Sequence, residues 1–208
     1  MAIRIHEVHP AVVHFPLTLL PLAIGVDVAE RLTGQRVWRK AGHAAMPIAA
    51  VGASVAAIAG LIAQEEVTAE RRAGELLVTH RTLNLAGTGL TMALAIWRAS
   101  QRRPSVPYIF AGIATFAAMG YSAYLGSKMV YEYGVGVDAA GGIAPRGGTE
   151  LRPRRMGAAM VRAARQAVSG SAHALQDIAH GELLPGIGTR DRPRSGRKNG
   201  LAGKGRSQ

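Results

Sequence analysis

HPAVVHFPLTLLPLAIGVDV, residues 9–28, is apolar enough to lie in a lipid bilayer and carries polar groups that a bilayer disfavours. His9 and His14 stand near its start, Pro10, Pro16 and Pro21 along it, and Asp27 near its end. A spanning helix needs about 20 mostly apolar residues. The run 11–28 meets that if His14 and Asp27 find partners. Pro16 and Pro21 each remove a backbone donor, which predicts a bend. In lipid, the carbonyls so freed need neighbours or water. The stretch therefore reads as a bent helix beside a cavity, with a histidine end and an aspartate end.

Three more apolar runs follow, at 41–63, 79–98 and 106–125. The second has no charged residue from Met46 to Ala63, whereas a soluble amphipathic helix shows a polar face every turn. The third is short unless His80 and Arg81 lie at the interface, where an arginine stem can snorkel. Gly52, Ala56 and Gly60 recur every fourth residue, a spacing that lets helices approach closely in lipid. The expected fold class is all-α: an integral membrane, four-helix, up-down bundle over residues 1–138, joined by short charged loops. A cell-membrane, multi-pass location follows. The opening run has no small-residue cleavage site and no basic front end, so it does not read as a signal peptide.

Charge separates the chain into two parts. Residues 1–137 hold 12 Lys and Arg against 8 Asp and Glu, and residues 138–208 hold 13 against 5. The expected tail, 139–208, is basic and of low complexity. A weak amphipathic helix is expected at about 153–180, suited to lying on anionic lipid. The stretch from Arg190 onward reads as disordered. Nucleic acid is disfavoured as a partner, because no aromatic residues interleave the charges. With no cysteine, the chain cannot form disulfides, thiolate metal sites, covalent haem attachments or a thiol nucleophile.

Four spans place both ends of the domain and the loop after the second span at one face, side A, and the other two loops at side B. The polar residues then sort by face. His9, His14, His80, Arg81, Lys128 and Tyr131 fall at side A. On the third run His80, Asn84, Gly87 and Thr91 share a helix face; on the fourth, Tyr121, Tyr124, Lys128 and Tyr131 share one. Polar stripes in lipid-embedded helices are expected to point inward. The expected cluster is therefore His14, His80, Asn84, Tyr124, Lys128 and Tyr131. Asp27 and His43 form a second, smaller set at side B and are expected to pair.

HPAVVHFP at residues 9–16, Asp27, the His80–Arg81 pair and YLGSKMVYEYGVGV at residues 124–137 together resemble a bacterial family of four-span membrane proteins, domain of unknown function twenty-two thirty-one. The similarity covers about residues 6–138. Two positions depart from the family pattern: Ser127 stands where a glycine is usual, and Tyr133 where a histidine is common. The resemblance implies a four-helix membrane domain and no particular reaction.

Three functions fit these residues. The first is a non-catalytic scaffold or accessory subunit with a polar cluster near one membrane face, whose basic tail does the binding and for which a homo-oligomer is one option. The second is a b-type haem protein with His14 and His80 as axial ligands and Arg81, Lys128, Tyr124 and Tyr131 around the group. A quinone or redox partner would accompany it. The third is a small proton or metal conduit through Asp27, His43, His14 and His80. No catalytic residue is assigned: Gly134–Val137 lacks the Gly-Lys-Ser/Thr ending of a phosphate loop, and no nucleophile–base pair is visible.

Overall fold

A computed structural model describes residues 3–67, 69, 71–136, 150–151 and 156–187. The stretch expected to be disordered, from Arg190, lies outside them. Among the described residues the chain is helical apart from turns and a two-residue antiparallel pairing of β1 (Ile3–Arg4) with β2 (Glu150–Leu151). Six helices follow in order: α1 (Ile5–Val12), α2 (His14–Thr33), α3 (Arg36–Gln64), α4 (Arg72–Ser100), α5 (Val106–Tyr133) and α6 (Met156–Ala179). The helices α2 to α5 form the up-down bundle, each packed on the next in sequence, with α2 also packed on α5.

Local chemistry sets the helix boundaries. Pro16 has no N–H to give the carbonyl four residues back, and the chain turns at Val13, dividing α1 from α2. Pro21 sits inside α2 without ending it. Gly34 and Gly134 end α2 and α5 in the left-handed conformation, at φ 69° and 66°. The helices run past the apolar stretches at both ends, so charged residues such as Arg36, Arg72 and Arg98 fall in terminal turns. Val8–Thr33, Arg36–Gln64 and Val106–Tyr133 are each long and apolar enough to cross a membrane. Helix α4 is as long as α3 but carries His80, Arg81 and Asn84.

The bundle is inside out relative to a soluble protein. Phe15, Leu22, Ile48, Val51, Val55, Ile58, Leu90, Ile96, Phe110 and Ile113 are exposed, while Asp27, Glu30, Thr79, Thr91, Arg98, Thr115 and Ser122 are buried. An apolar outer shell around a polar interior suits lipid. The interior is built from small side chains: Ala23, Ala49, Ala53, Ala56 and Ala59, with Leu20, Met46, Leu94 and Met119 filling the centre.

The two halves of the bundle repeat one pattern. From His9 to Asp27 is 18 residues, as is from His80 to Arg98. At an offset of 71 residues four buried positions of α2 meet buried positions of α4: Pro16 with Gly87, Leu20 with Thr91, Ala23 with Leu94, Asp27 with Arg98. At a different offset, 66 residues, six buried positions of α3 meet buried positions of α5: Gly42 with Tyr108, Met46 with Gly112, Ala49 with Thr115, Ala53 with Met119, Ala56 with Ser122, and Ala59 with Leu125. Any two helices with one buried face can be aligned at some offset, because the face has a period. The polar residues and their partners supply the independent agreement.

Candidate functional site

Two polar clusters occupy opposite ends of the bundle. At side B, Asp27, Glu30, Arg98 and Tyr108 are all fully buried. Arg98 Nε donates to Asp27 Oδ1 at 2.7 Å, and its Nη2 donates to Glu30. Tyr108 Oη donates to the other oxygen of Asp27 at 2.8 Å, and Arg39 Nε to Glu30 Oε1 at 2.8 Å. His43 donates Nδ1–H to the Arg39 carbonyl and accepts from Arg98 Nη1 at 3.3 Å. Asp27 and His43 thus do not pair directly, as the sequence suggested; both meet Arg98. Gly42 makes the approach possible, since a Cβ there would collide with Asp27 Oδ1. Two carboxylates face two guanidinium groups, and each is hydrogen-bonded. A satisfied buried network of this kind fixes helix register; it leaves no group free for chemistry.

At side A the helices diverge around a cavity of about 640 Å³. Its walls are mainly apolar, from Pro16, Leu17, Ala53, Ala57, Leu85 and Met119 among others. Its polar lining includes His9, His14, His80, Arg81, Asn84 and Tyr131. His9 and His80 face one another with ring centres 6.2 Å apart and planes at 84°. His9 Nδ1 lies 3.1 Å from the Ala56 carbonyl, and His80 Nδ1 lies 2.7 Å from the Ser122 carbonyl. A carbonyl only accepts, so both Nδ1 atoms carry the proton and both Nε2 atoms present a lone pair in the neutral rings. Asn84 Nδ2 donates to His80 Nε2 at 3.0 Å. The Nε2 of His9 has no hydrogen bond among the described residues.

Each ring lies against a glycine of the neighbouring helix, one turn beyond the carbonyl it bonds. A Cβ at Gly60 would sit 2.9 Å from His9 Cε1, and one at Gly126 would sit 3.0 Å from His80 Cε1. Ala56 and Gly60 occupy in α3 the positions that Ser122 and Gly126 occupy in α5. The repeat therefore extends to the histidines, their hydrogen-bond partners and the glycines that admit them.

The expected side-A cluster is redistributed. His9, rather than His14, is the histidine opposite His80. Five residues turn a helix by about 140°, so only one of the pair can face inward, and His14 stands exposed at the cavity wall. On α4 the stripe His80, Asn84, Gly87 and Thr91 turns inward, with Gly87 and Thr91 buried. The stripe on α5 turns outward: Tyr121, Tyr124 and Tyr131 are 43%, 58% and 87% exposed. Tyr124 stacks on Tyr121, and Lys128 pairs with Glu132 at 3.5 Å. The inward face of α5 is Ser122, Gly126 and Met129, and tyrosines on the far face suit a membrane interface.

Several residues of the two clusters carried little signal in the sequence. Glu30 follows Asp27 by three residues and so shares its face. Arg98 stands at a helix end, where an exposed charge is the ordinary expectation. Ser122 accepts from His80 Nδ1 at its carbonyl and donates its hydroxyl to the His80 carbonyl at 3.1 Å, and a lone serine in an apolar run gives little sign of either. Arg81 Nη1 donates to Gln64 Oε1 at 3.1 Å, and Arg81 also pairs with Asp177 of α6. Gln64 donates to the Gly170 carbonyl at 3.2 Å. Helix α6 is thereby tied across side A, next to the cavity. Among the described residues no group of three or more His, Cys, Asp or Glu could hold a metal ion.

The family model described as "Predicted membrane protein (DUF2231)" matches residues 5–139, and the chain belongs to that family, a multi-pass membrane protein. No curated protein and no solved structure matches the chain.

Proposed function

We propose that this member of the DUF2231 family is an accessory subunit of the cell membrane that holds a cofactor in its side-A cavity, and that the cofactor is haem b, held by His9 and His80. The observation that carries the reading is the pair itself: two imidazoles on separate helices, each anchored through Nδ1, meeting inside a largely apolar cavity. A metal-bound histidine ordinarily donates its other ring N–H to a carbonyl or carboxylate, and both rings have that partner. A free metal ion such as zinc needs about four protein ligands, which the described residues do not supply. Haem iron brings four nitrogens of its own and asks the protein only for axial ligands. The residues fit the group on one condition, that the Asn84 amide gives up His80 Nε2. Asn84 lies one turn along the same helix, so a side-chain rotation is enough. Bound haem would supply one-electron redox chemistry, and the chain's part would be to orient two imidazoles and exclude water. A quinone or other redox partner belongs with this reading.

An absorption spectrum of the detergent-purified protein, with haem supplied during expression, tests it. A Soret band with sharp α and β bands after dithionite reduction is the expected result. A featureless spectrum from a folded, haem-supplied sample overturns it.

One observation favours a scaffold role beside this one. Helix α6 turns its polar face to the bundle, where Gln166 bonds Glu66, Ser169 and His173 bond Glu65, and Asp177 pairs with Arg81. Met160, Val161, Val168 and Leu175 point away, each at least 56% exposed. With Arg162 and Arg165 alongside, that face suits an anionic lipid surface. The conduit reading gains no support: Leu20, Ile24, Met46 and Met119 fill the space between the two polar clusters.

A further inference from the structure

We infer that the bundle is two equivalent helical hairpins fused in one chain, and that His9 and His80, equivalent positions in the two, take opposite sides of a single metal centre and leave it no open position. The inference deepens the haem reading above and rests on it.

The equivalence stands on chemistry as well as on burial. Both histidines bond a backbone carbonyl on the next helix of their own hairpin, and both rest on a glycine one turn further. Eighteen residues on, both helices present the charges that meet at side B, Asp27 and Arg98, 2.7 Å apart. Equivalent residues therefore meet in pairs at both ends of the bundle. Such meetings occur on a two-fold axis, here running along the bundle, as in transporters built from parallel repeats. A group placed on that axis meets the same side chain from either side.

Distance selects what can lie between the rings. A proton shared by two Nε2 atoms about 2.9 Å apart would bring the ring centres to about 5.1 Å. A para-quinone hydrogen-bonded at each oxygen would hold the two nitrogens roughly 10 Å apart. A metal bonded to both at about 2.0 Å, with about 1.1 Å from nitrogen to ring centre, gives roughly 6.2 Å. The observed separation is 6.2 Å. That spacing accommodates a single metal atom held from two helices; it is also the spacing of an ordinary edge-to-face ring pair, and the test below separates the two. With an imidazole on each side, a gas or substrate finds no vacant position at the iron.

Carbon monoxide added to the dithionite-reduced, haem-loaded full-length protein provides the test. The wild type is expected to keep its reduced spectrum unchanged. His9→Gly and His80→Gly are each expected to become reactive to carbon monoxide, to similar extents, and to return to the inert spectrum when imidazole is added. That rescue separates loss of a ligand from loss of the fold. A wild-type spectrum that shifts with carbon monoxide, or a change in only one of the two variants, overturns the inference while leaving haem binding intact. A wild type that takes up no haem removes the haem reading itself, and this inference with it.

Discussion

Glycine, at Gly60 and Gly126, decides where the histidines can go. Each lies against an imidazole at a distance that a methyl group would crowd, 2.9 Å from His9 Cε1 at Gly60 and 3.0 Å from His80 Cε1 at Gly126, so that the ring would have to shift. Gly60→Ala and Gly126→Ala are therefore expected to displace His9 and His80 respectively and to lower haem occupancy at least tenfold, while helix content by circular dichroism stays the same. Unchanged occupancy would mean that the rings move without consequence. At the other end of the bundle Arg98 is fully buried against two carboxylates. Removing one partner from a buried ion pair costs about 3–5 kcal/mol, because the charge left behind has no compensation. Arg98→Met is expected to destabilise the protein in detergent by that amount, read from unfolding by denaturant. A second substitution that neutralises Asp27, Asp27→Asn, should recover part of the loss.

At the scale of the helix, what could be read from the sequence depended on which physical signal dominated. The apolar runs identified the spanning helices, because lipid demands length and apolarity of any segment that crosses it. The bend in the first span followed from Pro16, which lacks the donor that a continuous helix needs. Two features were misplaced, both for the same reason. A stripe of residues on one face shows that a face exists, but not which way it points. Tyr121 and Tyr124 share a face with Lys128, yet that face meets lipid and water, since the neighbouring face bears the small residues Ser122 and Gly126 that pack inward. His14 lies deeper in the apolar run than His9, but the turn of the helix gives the inward position to His9. The side-B network was the least legible part. Its centre, Arg98, is a terminal arginine of a kind that ordinarily reaches water.

Helix α6 belongs at the same scale. Two of its ties to the bundle run through Gln64 and Arg81, which also line the cavity. Asp177→Ala removes the pairing with Arg81. This should loosen α6 and raise backbone amide exchange across residues 156–179 severalfold, with the four spanning helices unaffected. Exchange that rises equally throughout would show that α6 and the bundle open together.

Considered as a whole, the molecule places fully satisfied charges at one end of the bundle and a cavity with two anchored imidazoles at the other. The satisfied end holds the two hairpins in register; the cavity is where a ligand can be received. The central claim is that His9 and His80, and not His14, hold that ligand. The most direct measurement is haem content per protein, by pyridine haemochrome assay, in His9→Ala, His14→Ala and His80→Ala purified in parallel. His9→Ala and His80→Ala are expected to hold severalfold less haem than the wild type, the fraction retained being reactive to carbon monoxide, with His14→Ala retaining wild-type content. A His14→Ala protein empty of haem beside a fully loaded His9→Ala protein would contradict the account.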